Sequence, residues 1–276
     1  MIKGPSLQQA GLKNQKVVVN CRFHISNFPI LNSPVLEILF EDEYLVAINK
    51  PSGLLVHRTS IAADETVFAL QLLRDQIGQH VSPVHRLDRP TSGVLLFSKK
   101  EEILPLLKEQ FSDRSVQKNY LAIVRGIPGE KSGLIDHPLR SERSGRMQEA
   151  QTSYQVLAEA EIPFDTTGRY PTSRYSLLEL KPETGRTHQI RRHLAHMRHY
   201  IIGDKKHGDN KQNQFFEKHF RMENLLLHAK KLELKHPVSH DILEVAAPLP
   251  DHFQKTCLDL GFSTLPLKFS ISTSGK

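Results

Sequence analysis

One carboxylate set among cations is the chemical centre of this sequence. Asp88 stands in His85-Arg86-Leu87-Asp88-Arg89-Pro90-Thr91-Ser92-Gly93, between two arginines and close to a histidine, and the apolar run Val94-Leu95-Leu96-Phe97 follows at once. A carboxylate can attack carbon as a nucleophile or accept a proton as a base. Pro90 steers Arg89 away from helical conformations, so Asp88 is predicted on a turn or loop leading into a strand. Loops on rigid scaffolds are where catalytic groups tend to be placed. On these residues alone, a loop carboxylate that only ties down Arg86 or Arg89 is an equally good reading.

A second constellation is Glu183-Thr184-Gly185-Arg186-Thr187-His188-Gln189-Ile190-Arg191-Arg192-His193. Gly185 allows a tight turn, and the apolar spacing of Ile190, Leu194 and Met197 predicts a helix after it. Arg191 and His188 would be neighbours on that helix. An arginine there could pair bidentately with a carboxylate, or the whole face could be merely basic and solvated. Tyr120 opens the aliphatic segment Tyr120-Leu121-Ala122-Ile123-Val124, either as a core residue or as an aromatic face for a planar ligand. His188, His193, His196 and His199 invite a metal reading. No HExxH motif occurs, and no carboxylate lies between His188 and His199, so no metal is predicted. The chain also lacks a GxxxxGK[ST] loop and a GxGxxG fingerprint, which argues against a nucleotide cofactor.

These groups need a scaffold, and the rest of the sequence supplies one. From Leu36 a hairpin is predicted, Leu36 to Phe40 and Tyr44 to Asn49, followed by the turn residues Lys50-Pro51-Ser52-Gly53 and an extended Leu54-Leu55-Val56. Helical spacing runs from Glu65 to Ile77 and again through Ile103, Leu106, Leu107 and Phe111. Further strands are expected at Tyr120–Val124, Ser153–Ala158 and Tyr175–Leu180, and one opening at Leu225–Leu227. No steady alternation of strand and helix appears, which points to an α+β fold on a mixed, largely antiparallel sheet. Residues 1–34 read as an extension with room for a strand near Val17-Val18-Val19. Residues 35–255 read as one domain and 256–276 as a tail.

Lysine plus arginine (37) exceeds aspartate plus glutamate (30), giving +7 and a pI near 9.3, a balance suited to a polyanionic partner. The two cysteines, Cys21 and Cys257, form no CxxC pair and fit a reducing cytoplasm. No segment approaches the length of a membrane span.

Taken together, the segments resemble the RluA family of pseudouridine synthases over roughly residues 36 to 250. The Asp88 motif is similar to the family's HRLDxxTSG. Asn49-Lys50-Pro51-Ser52-Gly53-Leu54-Leu55-Val56-His57 is similar to its NKPxGxxVH, Thr184 to Arg191 to its TGRxHQ[IL]R, and Leu226-Leu227-His228-Ala229 to its LLHA. Within the family, three segments resemble the TruC branch, which modifies uridine-65 of tRNA. These are Arg74 to His80, Thr167 to Tyr175, and Ile202 to Asp209. No likeness to an S4-type RNA-binding domain is found, so RNA binding would fall to the catalytic domain.

The resemblance implies the pseudouridine-synthase fold with a central catalytic cleft, and isomerisation of a uridine without cofactor or metal. It implies Asp88 as the essential aspartate, Arg191 as its partner (Arg186 being the alternative), and Tyr120 as the aromatic that stacks on uracil and helps remove the C5 proton. Arg86, Arg89, Arg186, His188 and Arg192 are expected to contact RNA. The implied partner is tRNA, bound by a cytoplasmic protein acting as a monomer without a protein partner. Two other readings stand beside it: a synthase acting on rRNA or another tRNA position, and a non-catalytic protein that binds and folds tRNA.

Overall fold

The computed structural model describes residues 16–17, 35–57, 67–166 and 168–262. Along the chain run β1 (Lys16–Val17), β2 (Glu37–Glu41), β3 (Leu45–Lys50), α1 (Ala69–Ile77), β4 (Ser82–Pro83), β5 (Ser92–Ser98), α2 (Leu104–Ser112), β6 (Gln117–Arg125) and β7 (Ser132–Asp136). There follow β8 (Leu139–Arg140), β9 (Met147–Gln148), β10 (Gln151–Ile162), β11 (Ser173–Pro182), α3 (Gln189–His196), α4 (Asn210–Phe220), β12 (Leu227–Lys235), β13 (Ile242–Ala246) and α5 (Asp251–Asp259).

Among the described residues, eleven strands form one sheet in the order β2-β3-β5-β12-β6-β11-β10-β7, with β4 on β5, β13 on β12 and β1 on β13. Alternation along each strand sends side chains to opposite faces. In β3 and β5, Leu45, Ala47, Val94 and Leu96 pack toward Leu107 of α2. Val46, Ile48, Leu95 and Phe97 pack toward Leu72 and Leu73 of α1. The other half repeats this design. Leu121, Ile123, Tyr175 and Leu177 meet Phe216 of α4 and Phe253 of α5, while Ala122, Val124, Leu178 and Leu180 meet Ile190 and Leu194 of α3. A sheet covered by helices on both faces has strands without a polar side, which is why β5 is buried at every residue.

The two halves meet where β5 and β12 pair in parallel, through Ser92 with His228 and Gly93 with Ala229. Gly93 has φ +110°, and a Cβ there would lie 2.2 Å from the Ala229 carbonyl oxygen, so only glycine lets the strands close. His228 seals the seam, with Nδ1 2.9 Å from Ser92 Oγ. Burial pushes its pKa down to about 3, which keeps the ring neutral. Tyr120 packs against both the α1 and the α3 clusters. The Asp88 loop enters β5 at this seam.

The α+β fold with a largely antiparallel mixed sheet is what the sequence predicts. The Leu36–Asn49 hairpin is β2 and β3, its turn closed by Asp42 Oδ1 accepting from the Tyr44 and Leu45 N–H groups at 2.8 and 2.7 Å. The extended Leu54–Val56 segment shrinks to a single bridge from Leu55 to Phe68. Within the N-terminal extension Lys16–Val17 pairs with Ile242–Leu243, and the remainder of residues 1–34 lies outside the described residues. At the other end, α5 crosses the boundary drawn at residue 255, and Cys257, Leu260 and Phe262 are buried in the core. α4 and α5 are not among the predicted helices; the polar surface of α4 hides a short Phe215/Phe216 contact, although Asp209 caps it by accepting from Lys211 N–H at 2.9 Å.

Candidate active site

Asp88 lies in the connection between β4 and β5, at a turn whose Asp88 carbonyl accepts from Thr91 N–H at 3.0 Å. Leu87 beside it is buried and anchors the loop in the α1-side core. From the opposite side the Pro51–Leu54 turn grips the same loop. Gly53 N–H donates to Arg89 O at 2.9 Å, Arg89 Nε donates to Gly53 O at 3.0 Å, and Ser52 Oγ donates to Pro90 O at 2.7 Å.

Lys50 completes the grip from within. Its side chain is fully buried, and Nζ donates to the carbonyls of Pro51, Leu54 and Arg89 at 2.8, 2.8 and 3.1 Å. Three acceptors match the three N–H groups of an ammonium. Burial pulls its pKa down to about 7, and the charge of Asp88 resists that fall.

The third wall is the segment before α3. Gln189 is buried, its Oε1 accepting from Thr184 Oγ1 at 2.6 Å and from Arg186 N–H at 3.0 Å, its Nε2 donating to Gln151 O at 2.9 Å. That network fixes the Thr184–Gly185–Arg186 turn and the start of α3. His188 is therefore not the helical neighbour of Arg191 that the sequence predicts. It caps the helix in the left-handed region at φ +53°, and still brings Nε2 to 3.9 Å from Asp88 Oδ1.

Arg191, one turn into α3, is 5% exposed. Its Nη1 donates to Asp88 Oδ2 at 3.1 Å. The bidentate pairing expected of this arginine exists, but with a different carboxylate: Nε and Nη2 each donate to Asp204 at 2.7 Å. Asp204 also accepts from the N–H groups of Lys206 and His207 at 3.0 and 2.9 Å. Burial works to raise its pKa, but Arg191 and these donors hold it below the ordinary carboxylate value. Burial likewise works against the charge on Arg191, and the two carboxylates outweigh it. Asp204 thus neutralises and aims the guanidinium, leaving Nη1 for Asp88.

Asp88, Tyr120 and Arg191 line one cleft of about 340 Å³, at the small end of the range for ligand sites. Arg86, Arg186 and His188 line it too, together with Lys118, which sequence reading passed over. The Asp88 side chain is 18% exposed, so it opens on that space. Burial raises the pKa of Tyr120, and the charge of Asp88 adds to it, so Tyr120 is a neutral phenol. His85 also lines the cleft, but its ring is taken up by the scaffold: its Nε2 accepts from Leu96 N–H at 3.1 Å and its ring stacks on Phe111. Burial lowers its pKa to about 4.

Arg89 and Arg192 stand outside the cleft lining. Arg89 serves the loop clip above, and Arg192 Nη1 donates to Arg140 O at 3.0 Å at the small β8–β9 hairpin. The histidines of the α3 segment scatter. His193 is buried against Thr152 Oγ1 and His137 O at 2.9 and 3.0 Å, His196 stacks on His137, and His199 Nδ1 meets Arg125 O at 3.0 Å.

The matched family profile, described as RNA pseudouridylate synthase, covers residues 44–196, which include Asp88, Tyr120 and Arg191. The chain belongs to the RNA pseudouridylate synthase family. The synthase is 47% identical over 230 residues to a protein named tRNA pseudouridine synthase C from Vibrio parahaemolyticus, an overlap of 80% of this chain and 93% of that one. Proteins of the same name from Vibrio cholerae and Pasteurella multocida are 45% and 49% identical, over 83% and 77% of this chain and 97% and 90% of theirs. Among solved structures, human RNA pseudouridylate synthase domain containing 4 superposes with a TM-score of 0.62 at 29% identity, covering 81% of this chain and 92% of that chain.

Asp204 lies beyond the residues that the family profile matches, and Lys50 lies within them. The buried Lys50 gives the synthase a measurable alkaline signature. Its folded pKa, about 7, lies below the unfolded value of about 10.4. Between these the unfolded chain holds the extra proton, so stability rises with pH across that window. Urea midpoints measured from pH 7 to 10 should therefore rise for the wild type relative to Lys50→Met; parallel profiles would refute the lowered pKa of the buried amine.

Proposed function

We propose that this synthase converts a uridine of tRNA, the one at position 65, to pseudouridine in the cytoplasm. The observation that carries the proposal is the Asp88 carboxylate, aimed by Arg191 and opening with Tyr120 on a cleft of ligand size. Relatives named tRNA pseudouridine synthase C at 45–49% identity support tRNA as the substrate class. The charge of +7 suits such a polyanion. Among the described residues no helix is long and apolar enough to cross a membrane.

The target nucleotide must leave its stack to reach Asp88, at a cost of a few kcal/mol. Contacts between the basic rim and phosphates offset that cost, Arg86 and Arg186 standing at the cleft for the purpose. Asp88 then either attacks C1′ or removes a sugar proton as the N1–C1′ bond breaks. The uracil turns, C5 bonds to C1′ as the Asp88–C1′ bond breaks or the sugar proton returns from Asp88, and C5 loses a proton while N1 takes one up, so the product is an isomer and nothing is consumed. Tyr120 offers its ring face to the uracil. As a neutral phenol, it can take the C5 proton only while passing on its own.

Mapping pseudouridine in total RNA from cells with and without this protein tests the reading. Loss of the modification at tRNA position 65 is the expected result, and loss confined to rRNA or to another tRNA position would replace it. For Tyr120→Phe, tRNA affinity should hold while turnover falls by about a hundredfold or more. An unchanged rate of tritium release from C5-labelled RNA would remove the hydroxyl from the mechanism.

A further inference from the structure

A second cavity, of about 560 Å³, opens where β6 ends, β11 begins and the chain leaves α3. Arg125, Arg174, Arg198 and His199 bring basic side chains to it. The backbone around it is tightly built. Arg125 N–H donates to Tyr200 O at 2.9 Å, and Gly126 N–H donates to Arg174 O at 2.7 Å. His199 Nδ1 lies 3.0 Å from Arg125 O. A carbonyl only accepts, so Nδ1 carries the proton. Gly126 sits at φ +79°, and a Cβ there would come within 3.3 Å of that nitrogen.

The charges of this cavity are unbalanced. Arg125 Nη1 pairs with Asp209 at 2.7 Å. Arg174 and Arg198 are exposed and have no ion-pair partner among the described residues. Two unpaired guanidiniums converging on one cavity repel each other, and an anion with several acceptor oxygens relieves that repulsion.

The position of the cavity favours an extended polyanion. β6 carries Tyr120 at the catalytic cleft and Arg125 at this cavity, five residues apart, or about 17 Å at ~3.3 Å per residue. α3 links the same two places, from His188 at Asp88 to Arg198, about 15 Å at ~1.5 Å per residue. A ligand engaging both ends must carry negative charge repeatedly along its length. A stacked strand advances about 3.4 Å per nucleotide, which places the cavity about five nucleotides from the reacting base.

We propose that the Arg174/Arg198 cavity is a second RNA site, holding a backbone phosphate of the same tRNA whose uridine enters the Asp88 cleft. The site rests on the isomerase reading for its substrate, but binding tests it independently. It carries no sequence information itself and fixes the register of the RNA on the protein.

The test compares tRNA binding by the wild type, Arg174→Gln/Arg198→Gln and Arg174→Lys/Arg198→Lys from 50 to 200 mM salt. The glutamine pair should bind tRNA about tenfold more weakly at 150 mM salt, and the slope of log affinity against log salt should fall by about 1. The lysine pair should recover most of the slope, which a purely structural role for the arginines would not produce. Equal affinities and slopes for wild type and glutamine pair would overturn the site, and are what a pocket for free phosphate ion predicts. Tritium release by the wild type on the same tRNA examines the isomerase reading separately. Were release absent, that reading would fall, and the binding comparison would still decide the cavity.

Discussion

Asp88→Asn is expected to abolish tritium release from tRNA labelled at uracil C5, by about a thousandfold or more, while the protein stays folded and RNA affinity holds or rises. The magnitudes decide this split. The amide would keep the shape of the side chain but neither the nucleophilic oxygen nor the basic site. The fold loses little, because Arg191 gives Asp88 a single hydrogen bond at 3.1 Å and the carboxylate is partly open to solvent. The amide oxygen can still accept from Nη1, and Asp204 keeps the buried guanidinium paired, so the change weakens one hydrogen bond, worth about 1 kcal/mol. Affinity does not fall because a negative charge has been removed from a cleft that must accept phosphate. Release at more than a tenth of the wild-type rate would take the chemistry away from Asp88.

Asp204→Ala is expected to be the most damaging substitution away from the cleft lining. Asp204 is 2% exposed and takes two of the Arg191 donors at 2.7 Å. Removing it strands a buried guanidinium whose remaining partner is Asp88. Breaking one side of a buried pair costs about 3–5 kcal/mol, so thermal unfolding should move down by about 10 °C. Activity should fall as well, because Arg191 loses the fork that points Nη1 at Asp88. The residue acts through Arg191, and the pattern of variants shows it. Asp204→Ala should lose both stability and turnover, Asp88→Asn turnover only. Stability equal to the wild type in Asp204→Ala would mean that the clamp contributes nothing.

Both predictions turn on one arginine, and that arginine marks the boundary of what sequence reading could reach. The residue types around Asp88 and along Thr184–Arg191 are chemically unusual, and their local spacing is enough to mark a turn before a strand and a turn before a helix. β3, β5, β6, β10 and β11 were legible for the same kind of reason: apolar runs and alternation are local patterns. α4 was not, because its apolar residues, Phe215, Phe216 and Phe220, are few and set in a polar helix.

The family resemblance already implied Arg191 as the partner of Asp88, a contact the structure contains; the tertiary structure alone decided the other pairings. Asp204 comes thirteen residues after Arg191, in a turn with no periodicity to reveal it. Only the return of the chain after α3 makes it the bidentate partner and leaves Asp88 the single remaining bond. Lys50 read as part of a turn, and became the buried pin of the Asp88 loop because that loop, 39 residues on, brings Arg89 O to its amine. Gly93 read as the end of a motif, and proved to be the place where β5 touches β12 because only a residue without Cβ fits against Ala229. The physical reason is common to all three. Local sequence sets the conformations available to a segment, whereas pairing between distant charges, donors and strands depends on which surfaces the whole chain brings into contact.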